Sequence, residues 1–179
     1  MSAAFDRCFQ ALLELEGVWS NDPADPGGKT KYGITEAEWD RHRPGVPVQN
    51  ITIEDARAYY RTEWWAPLHC DEIPALLAYE LFEFSVNAGR AAAVKSLQSA
   101  INFLEIGSPL VVDGVFGRIT QTAVSVICRT RTGLLALVRA LNGEQYIFYK
   151  DLTTRRPSME QFAKGWTRRL AELKESGNG

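Results

Sequence analysis

Apolar residues recur along most of this chain at intervals of three and four, the spacing of one helix face rather than of a strand. Phe5, Phe9, Leu12 and Leu13 make such a stripe over Ala3 to Glu16, and Gly17 supplies the stop. The pattern breaks between Asn21 and Gly33, NDPADPGGKTKYG, where two prolines, three glycines and short polar side chains exclude regular helix and favour turns or a small hairpin. Helix resumes where Thr35 can cap with Glu38 three residues later. It starts again where Thr52 precedes IEDARAYYRTEWW, a run that Pro67 ends. Further helical patterns cover about Ala75 to Asn87, Ala91 to Glu105, Arg118 to Thr130, Leu134 to Leu152 and Ser158 to Ser176. Gly107, Ser108 and Pro109 interrupt the second half before VVDGVFGRIT, which reads as a tight loop feeding a helix. The expected fold is mainly α, with one small irregular or hairpin lobe and neither repeats nor low-complexity tracts.

One residue breaks the binary pattern in a chemically informative way. Glu16 stands eleven residues after Phe5, a rotation of about 1100°, or roughly 20° past three full turns. It therefore falls on the apolar stripe, at the helix end where the macrodipole is negative. Desolvation and the dipole both oppose its ionisation there, as a general acid working near neutral pH requires. The plainer reading is a glutamate that reaches water at a frayed helix end. The loop that follows bears on the choice, because it brings Asp22, Asp25 and the Thr30 hydroxyl close in sequence. A glycosidase needs one carboxylic acid to protonate the leaving oxygen and a second group to steer water or stabilise the oxocarbenium-like transition state. Asn21, Asp22 and Asp25 are spaced equally well for a calcium site or for Asx-turns. Four of the five tryptophans, Trp19, Trp39, Trp64 and Trp65, fall in the first 65 residues. Their flat faces suit sugar rings, and core packing is the expected job of at least two.

With 179 residues, 45% of them hydrophobic, the chain can form one real core or two small lobes without disulfides or metals. Cys8, Cys70 and Cys128 are odd in number and widely spaced, so neither a disulfide framework nor a zinc knuckle is indicated, and buried reduced thiols are expected. The first twenty residues carry Asp6, Glu14 and Glu16 and no secretory apolar run. Synthesis in the cytoplasm and no membrane span are therefore expected. Net charge is −2 but uneven: residues 1 to 89 hold 7 Lys and Arg against 15 Asp and Glu, and residues 90 to 179 hold 13 against 7. A basic second half attracts a polyanion such as nucleic acid or carboxylate-bearing cell wall, or is simply a set of solvated helix faces.

A peptidase or amidase is disfavoured, since His42 and His69 are the only histidines and cannot build a multi-histidine zinc site. His69 is also poorly placed, by sequence, to activate Cys70. A non-catalytic wall-binding or polyanion-binding module accounts for the basic half but leaves Glu16 unexplained.

The segment ELEGVWSNDPADPGGKTKYGIT resembles the N-terminal motif of glycoside hydrolase family 108, the phage and prophage N-acetylmuramidases. The similarity continues through YRTEWWAPL and FEFSVNAGRAAAVKSLQSA, then through VDGVFGRITQTAV, which resembles the predicted peptidoglycan-binding region that follows in that family. Altogether it covers about Phe5 to Leu170. The resemblance puts the family's catalytic glutamate, from its EGG motif, on Glu16, with Val18 in place of the second glycine. It puts the family's threonine before GIT on Thr30 and its loop aspartates on Asp22 and Asp25. The order Glu, Asp, Thr also resembles phage-type lysozymes, whose acid and aspartate stand nine residues apart, as Glu16 and Asp25 do; the aspartate-to-threonine step is one residue shorter here.

What the resemblance implies is a lysozyme-like α+β fold, a small lobe and a helical lobe with a cleft between them. Residues 1–90 would be catalytic and 91–179 would bind peptidoglycan. Glu16, Asp25 and Thr30 are the implied catalytic residues, and Asp22, Tyr32 and Asn87 the implied substrate-binding ones, with Tyr32 and Asn87 equally compatible with structural roles. The implied reaction is hydrolysis of the β-1,4 bond between N-acetylmuramic acid and N-acetylglucosamine, without metal or cofactor. The implied partners are peptidoglycan glycan strands and a holin that opens the membrane to a monomeric, cytoplasmically made enzyme that acts in the periplasm or wall. Nucleic acid and membrane are not expected partners. The DGVFG loop has two readings, wall contact and internal packing.

Overall fold

The computed structural model describes residues 3–16, 19–20, 28–104 and 107–166, excepting the side chains of residues 15, 16 and 20. It is mainly α. The chain divides into two compact units, Met1–Val86 and Asn87–Gly179.

In the first unit α1 (Ala3–Glu16) buries Phe5, Cys8, Phe9 and Leu12, the stripe expected from the sequence. Three two-residue strands follow, β1 (Trp19–Ser20), β2 (Thr30–Lys31) and β3 (Ile34–Thr35), in an antiparallel sheet of that order. Of the stretch Asn21 to Gly33, expected as turns or a small hairpin, the described part forms the β2–β3 hairpin, which extends to Thr35; residues 21–27 lie outside the described residues. Both predicted caps are complete capping boxes: Thr35 with Glu38 opens α2 (Glu36–His42), and Thr52 with Asp55 opens α3 (Ile53–Tyr60).

The run expected to stay helical up to Pro67 does not. After Tyr60 the chain widens into a π-turn, Arg61–Trp65, closed by the Ala66 N–H donating to the Arg61 carbonyl, and then tightens into a 3₁₀ turn, Ala66–Leu68. In a continuing α-helix the Pro67 ring would meet the carbonyl four residues back, so the ladder changes pitch before it. The π-turn carries Trp65 into the core, where its ring lies 5.3 Å from Phe5 and 5.5 Å from Phe82 of α4 (Ala75–Ala88). Its indole N–H donates to Asp71, which also forms a two-point ion pair with Arg61. The Arg57 and Arg61 guanidiniums lie over the Phe5 ring.

In the second unit α5 (Arg90–Phe103) packs on α7 (Arg131–Arg155) through Ala93, Leu97, Ala100 and Ile101 on one side and Leu137, Val138 and Leu141 on the other. The small side chains Ala93 and Ala100 let the backbones approach. Helix α6 (Arg118–Ile127) adds Val124 and Ile127. The helix expected from Ser158 begins instead as a 3₁₀ turn, Pro157–Phe162. Among the described residues no helix is long and apolar enough to cross a membrane.

Three residues of the DGVFG motif make internal contacts, while Val115 stays exposed. Asp113 accepts from the Val115 N–H, Gly114 turns the chain at φ +82°, and Phe116 is buried. Gln98 of α5 spends both ends of its buried amide on this loop: Nε2 donates to Asp113 at 2.8 Å and to the Val115 carbonyl at 3.2 Å, and Oε1 accepts from Gly114 at 2.9 Å. The Gln98 bond is the first cause holding the Asp113 carboxyl below its ordinary range. A Cβ on Gly114 would meet the Ala91 carbonyl oxygen at 2.9 Å, so the glycine is required by contact as well as by φ.

Helix α4 buries two carboxyl groups one turn apart, Glu80 and Glu83. Burial first, and then the neighbouring Glu83 charge, push the Glu80 carboxyl up to about 7. Between the ordinary carboxylate range and pH 7 the folded protein thus holds a proton that the unfolded chain releases. Stability falls as pH rises through that window, by up to about 1 kcal/mol per pH unit, and is flat above it. Urea unfolding from pH 5 to 8 is expected to show this decline, and Glu80→Gln to reduce it. An unchanged slope in the variant would assign the pH dependence to other groups.

Candidate active site

Glu16 is the last residue of α1. Phe5, Phe9 and Leu12 bury their side chains on one face, and the next step of four from Leu12 along that face is position 16. The Glu16 side chain lies outside the described residues, as do Asp22 and Asp25 entirely. Strand β1 starts three residues after Glu16, and its Ser20 pairs with Thr30 of β2.

Thr30 and Tyr32 come together on the hairpin. Thr30 is half-buried, with its hydroxyl 3.5 Å from the Gly28 carbonyl, at the outer limit of a hydrogen bond. The register puts it on the sheet face of Thr35, while Trp19, Lys31 and Ile34 share the opposite one. Tyr32 and Gly33 form the two-residue loop, at φ +53° and +77°, the type I′ turn whose twist suits a hairpin. Asparagine or glycine normally fills the first of these positions, and a tyrosine held there costs roughly 1–2 kcal/mol.

Two bonds from outside the sheet hold it. The buried Tyr60 hydroxyl donates to the Tyr32 carbonyl at 3.1 Å, and Lys31 Nζ donates to the Gln49 carbonyl at 2.8 Å, with its ammonium also over the Tyr32 ring. Tyr60 was not singled out in the sequence; the KYGI hairpin signal was present but does not say which distant donor meets the turn.

Of the four early tryptophans, Trp39 and Trp65 are core residues, Trp64 is half-buried, and Trp19 on β1 is 46% exposed, an aromatic face left to solvent beside the hairpin. A hollow of about 590 Å³ opens next to the hairpin between Lys29, Glu36, Asp40 and Pro47, and of the expected site residues that are described, Thr30, Tyr32 and Asn87, none lines it. Asn87 is exposed in the last turn of α4 and belongs to the second unit.

The rival chemistries find little here. His42 faces Glu63 at 3.1 Å and His69 faces Glu72 at 2.8 Å. Cys70 is buried and its thiol is pushed far up by that burial, as Cys8 is to about 12, so neither is an activated nucleophile. No group of three His, Cys, Asp or Glu able to hold a metal occurs among the described residues.

Tyr60→Phe removes one hydrogen bond and leaves a carbonyl in need of a partner, an expected cost of about 1 kcal/mol. Amide exchange at Lys31 and Ile34 should quicken several-fold relative to the core of α4. Unaltered exchange at those amides would show that the turn stands without the phenol.

Residues 9–89 match the profile described as glycosyl hydrolase 108, and residues 92–171 that of a predicted peptidoglycan domain, in the order the motifs imply. The solved structure of SagA from Brucella abortus superposes with a TM-score of 0.75 at 28% identity, covering 93% of this chain and 89% of that one. A comparison with curated proteins found no match. The mainly α fold with its small sheet is the lysozyme-like architecture expected from the sequence. A region matching glycosyl hydrolase 108 is thus followed in this chain by one matching a predicted peptidoglycan domain, with peptidoglycan as the partner polymer.

Proposed function

We propose that the protein is an N-acetylmuramidase, cleaving the β-1,4 bond between N-acetylmuramic acid and N-acetylglucosamine with Glu16 as general acid. The observation that carries this reading is the apolar face of α1, whose buried Phe5, Phe9 and Leu12 lead to a carboxylic acid at the helix end within the glycosyl hydrolase region. Such a position favours the protonated acid, through a negative helix terminus and an apolar flank. Glu16 gives its proton to the glycosidic oxygen as the bond to C1 breaks. The oxocarbenium-like sugar is then met by water, directly or after a covalent intermediate.

Asp25 supports the positive charge or orients that water, and Asp22 is the alternative for the same role. Thr30 presents a hydroxyl from a hairpin braced by Tyr60 and Lys31. Tyr32 and Asn87 contact substrate, and the exposed Trp19 ring adds a flat face suited to a sugar.

Glu16→Gln is expected to keep the fold and wall binding while losing at least about 10²-fold in rate. Near-normal turnover would remove the mechanism. Asp25→Asn should be the more damaging of the two aspartate variants; an active Asp25→Asn beside an inactive Asp22→Asn reverses their roles. Mass spectrometry of digested peptidoglycan should find muramic acid at the new reducing ends, and glucosamine there would mean the other glycosidic bond is cut.

A further inference from the structure

The second unit contains a groove that the proposed hydrolysis leaves unused. It has a volume of about 460 Å³ and runs between the segment at Leu110 and one face of α6, formed by Ile119, Thr122, Ala123 and Val126, with Arg118 at its end. Ile119 is 75% exposed and Val126 38%, so this face of α6 is covered by nothing within the described residues.

The walls are fixed in place. Asn102 of α5 clamps Leu110 with a reciprocal pair, Nδ2 donating to the Leu110 carbonyl at 2.9 Å and Oδ1 accepting from the Leu110 N–H at 2.7 Å. Gln98 holds the next loop, and through it the start of α6, by the bonds to Asp113, Gly114 and Val115 and one to Thr120 at 3.3 Å. The apolar side chains therefore cannot fold inward to leave water. An exposed apolar surface kept open by such amide bonds is a preformed binding surface.

Its chemistry selects an occupant. Arg118 is exposed and makes no ion pair with any described residue, and among the described residues no carboxylate lines the groove. The N-cap of α6 is Gly117, which offers no side chain to the first turn, so the free N–H groups and positive helix end lie beside the guanidinium. One cation at the end of an apolar trough suits a short chain of methyl groups carrying a carboxylate. It suits a sugar poorly, since the lining has no aromatic face and few hydrogen-bonding groups.

We propose that this groove binds the acidic, alanine-bearing stem peptides of peptidoglycan. Arg118 and the α6 N-terminus take a carboxylate, while Leu110, Ile119, Ala123 and Val126 take the alanine methyls. The proposal rests on peptidoglycan being the partner polymer, and it divides the labour: the first region acts on glycan, the second reads peptide.

The test is a methyl NMR titration of the full chain with a synthetic L-Ala-D-Glu-L-Lys-D-Ala tetrapeptide. Shifts are expected at the Ile119, Ala123 and Val126 methyls. Binding should weaken at least about tenfold in Arg118→Gln and for the peptide with amidated carboxylates, as loss of a charge-assisted contact implies. Ile119→Ser, at an exposed position, should also weaken it without loss of fold. Absence of those shifts, equal binding by Arg118→Gln, or the same shifts from peptide-free glycan strands would overturn the proposal. Release of reducing ends from peptide-free strands, measured in parallel, tests the muramidase reading separately. Peptide shifts without cleavage sink the latter alone, and cleavage without shifts sinks the former alone.

Discussion

The first unit depends on one side chain that works at both ends. The Tyr60 ring packs 5.9 Å from Phe9 of α1 and 6.2 Å from Phe82 of α4, and its hydroxyl holds the Tyr32 carbonyl at the hairpin turn. The same residue thus ties the helix that ends at Glu16 to the hairpin that carries Thr30. A sheet of two-residue strands has too few ladder bonds to persist by itself. Its geometry is borrowed from the helical core, and the loan passes through this phenol and through Lys31 on Gln49. Any chemistry that needs an acid from α1 and a hydroxyl from β2 needs that connection first.

Much of this was legible before any coordinate. The stripe on α1, both capping boxes and the turn at Tyr32 and Gly33 follow from spacing and local chemistry, which act over a few residues and leave a trace in sequence. The Tyr60 bond and the Asn102 clamp join residues far apart in the chain, and no local pattern announces them. The π-turn escaped for a related reason. Periodicity through RTEWW is compatible with a helix, and only the combined demand of Pro67 ahead and Phe5 across the core selects the wider pitch. For the candidate site, sequence and structure speak to different parts: the β2–β3 hairpin is described, whereas the roles of Glu16, Asp22 and Asp25 rest on chemistry and on the match of residues 9–89 to glycosyl hydrolase 108.

The second unit shows how a motif can be structural and still serve recognition. DGVFG read equally well as wall contact or as packing. Its aspartate, glycine and phenylalanine all turn inward, to Gln98, to the Ala91 backbone and to the core. Their effect is felt next door, where a loop so pinned leaves α6 with an apolar face that nothing in the described structure covers.

The π-turn at Arg61–Trp65 makes the core sensitive to the number of residues as well as to their kind. The wide turn already takes up one residue more than an α-turn holds, so inserting another there would swing everything after it by about 100°, taking Trp65 away from Phe5 and Asp71 away from Arg61. Substitutions in this stretch can be absorbed one side chain at a time, whereas a single-codon insertion would unseat the whole aromatic cluster at once. Length, at this point of the chain, carries structural information of its own.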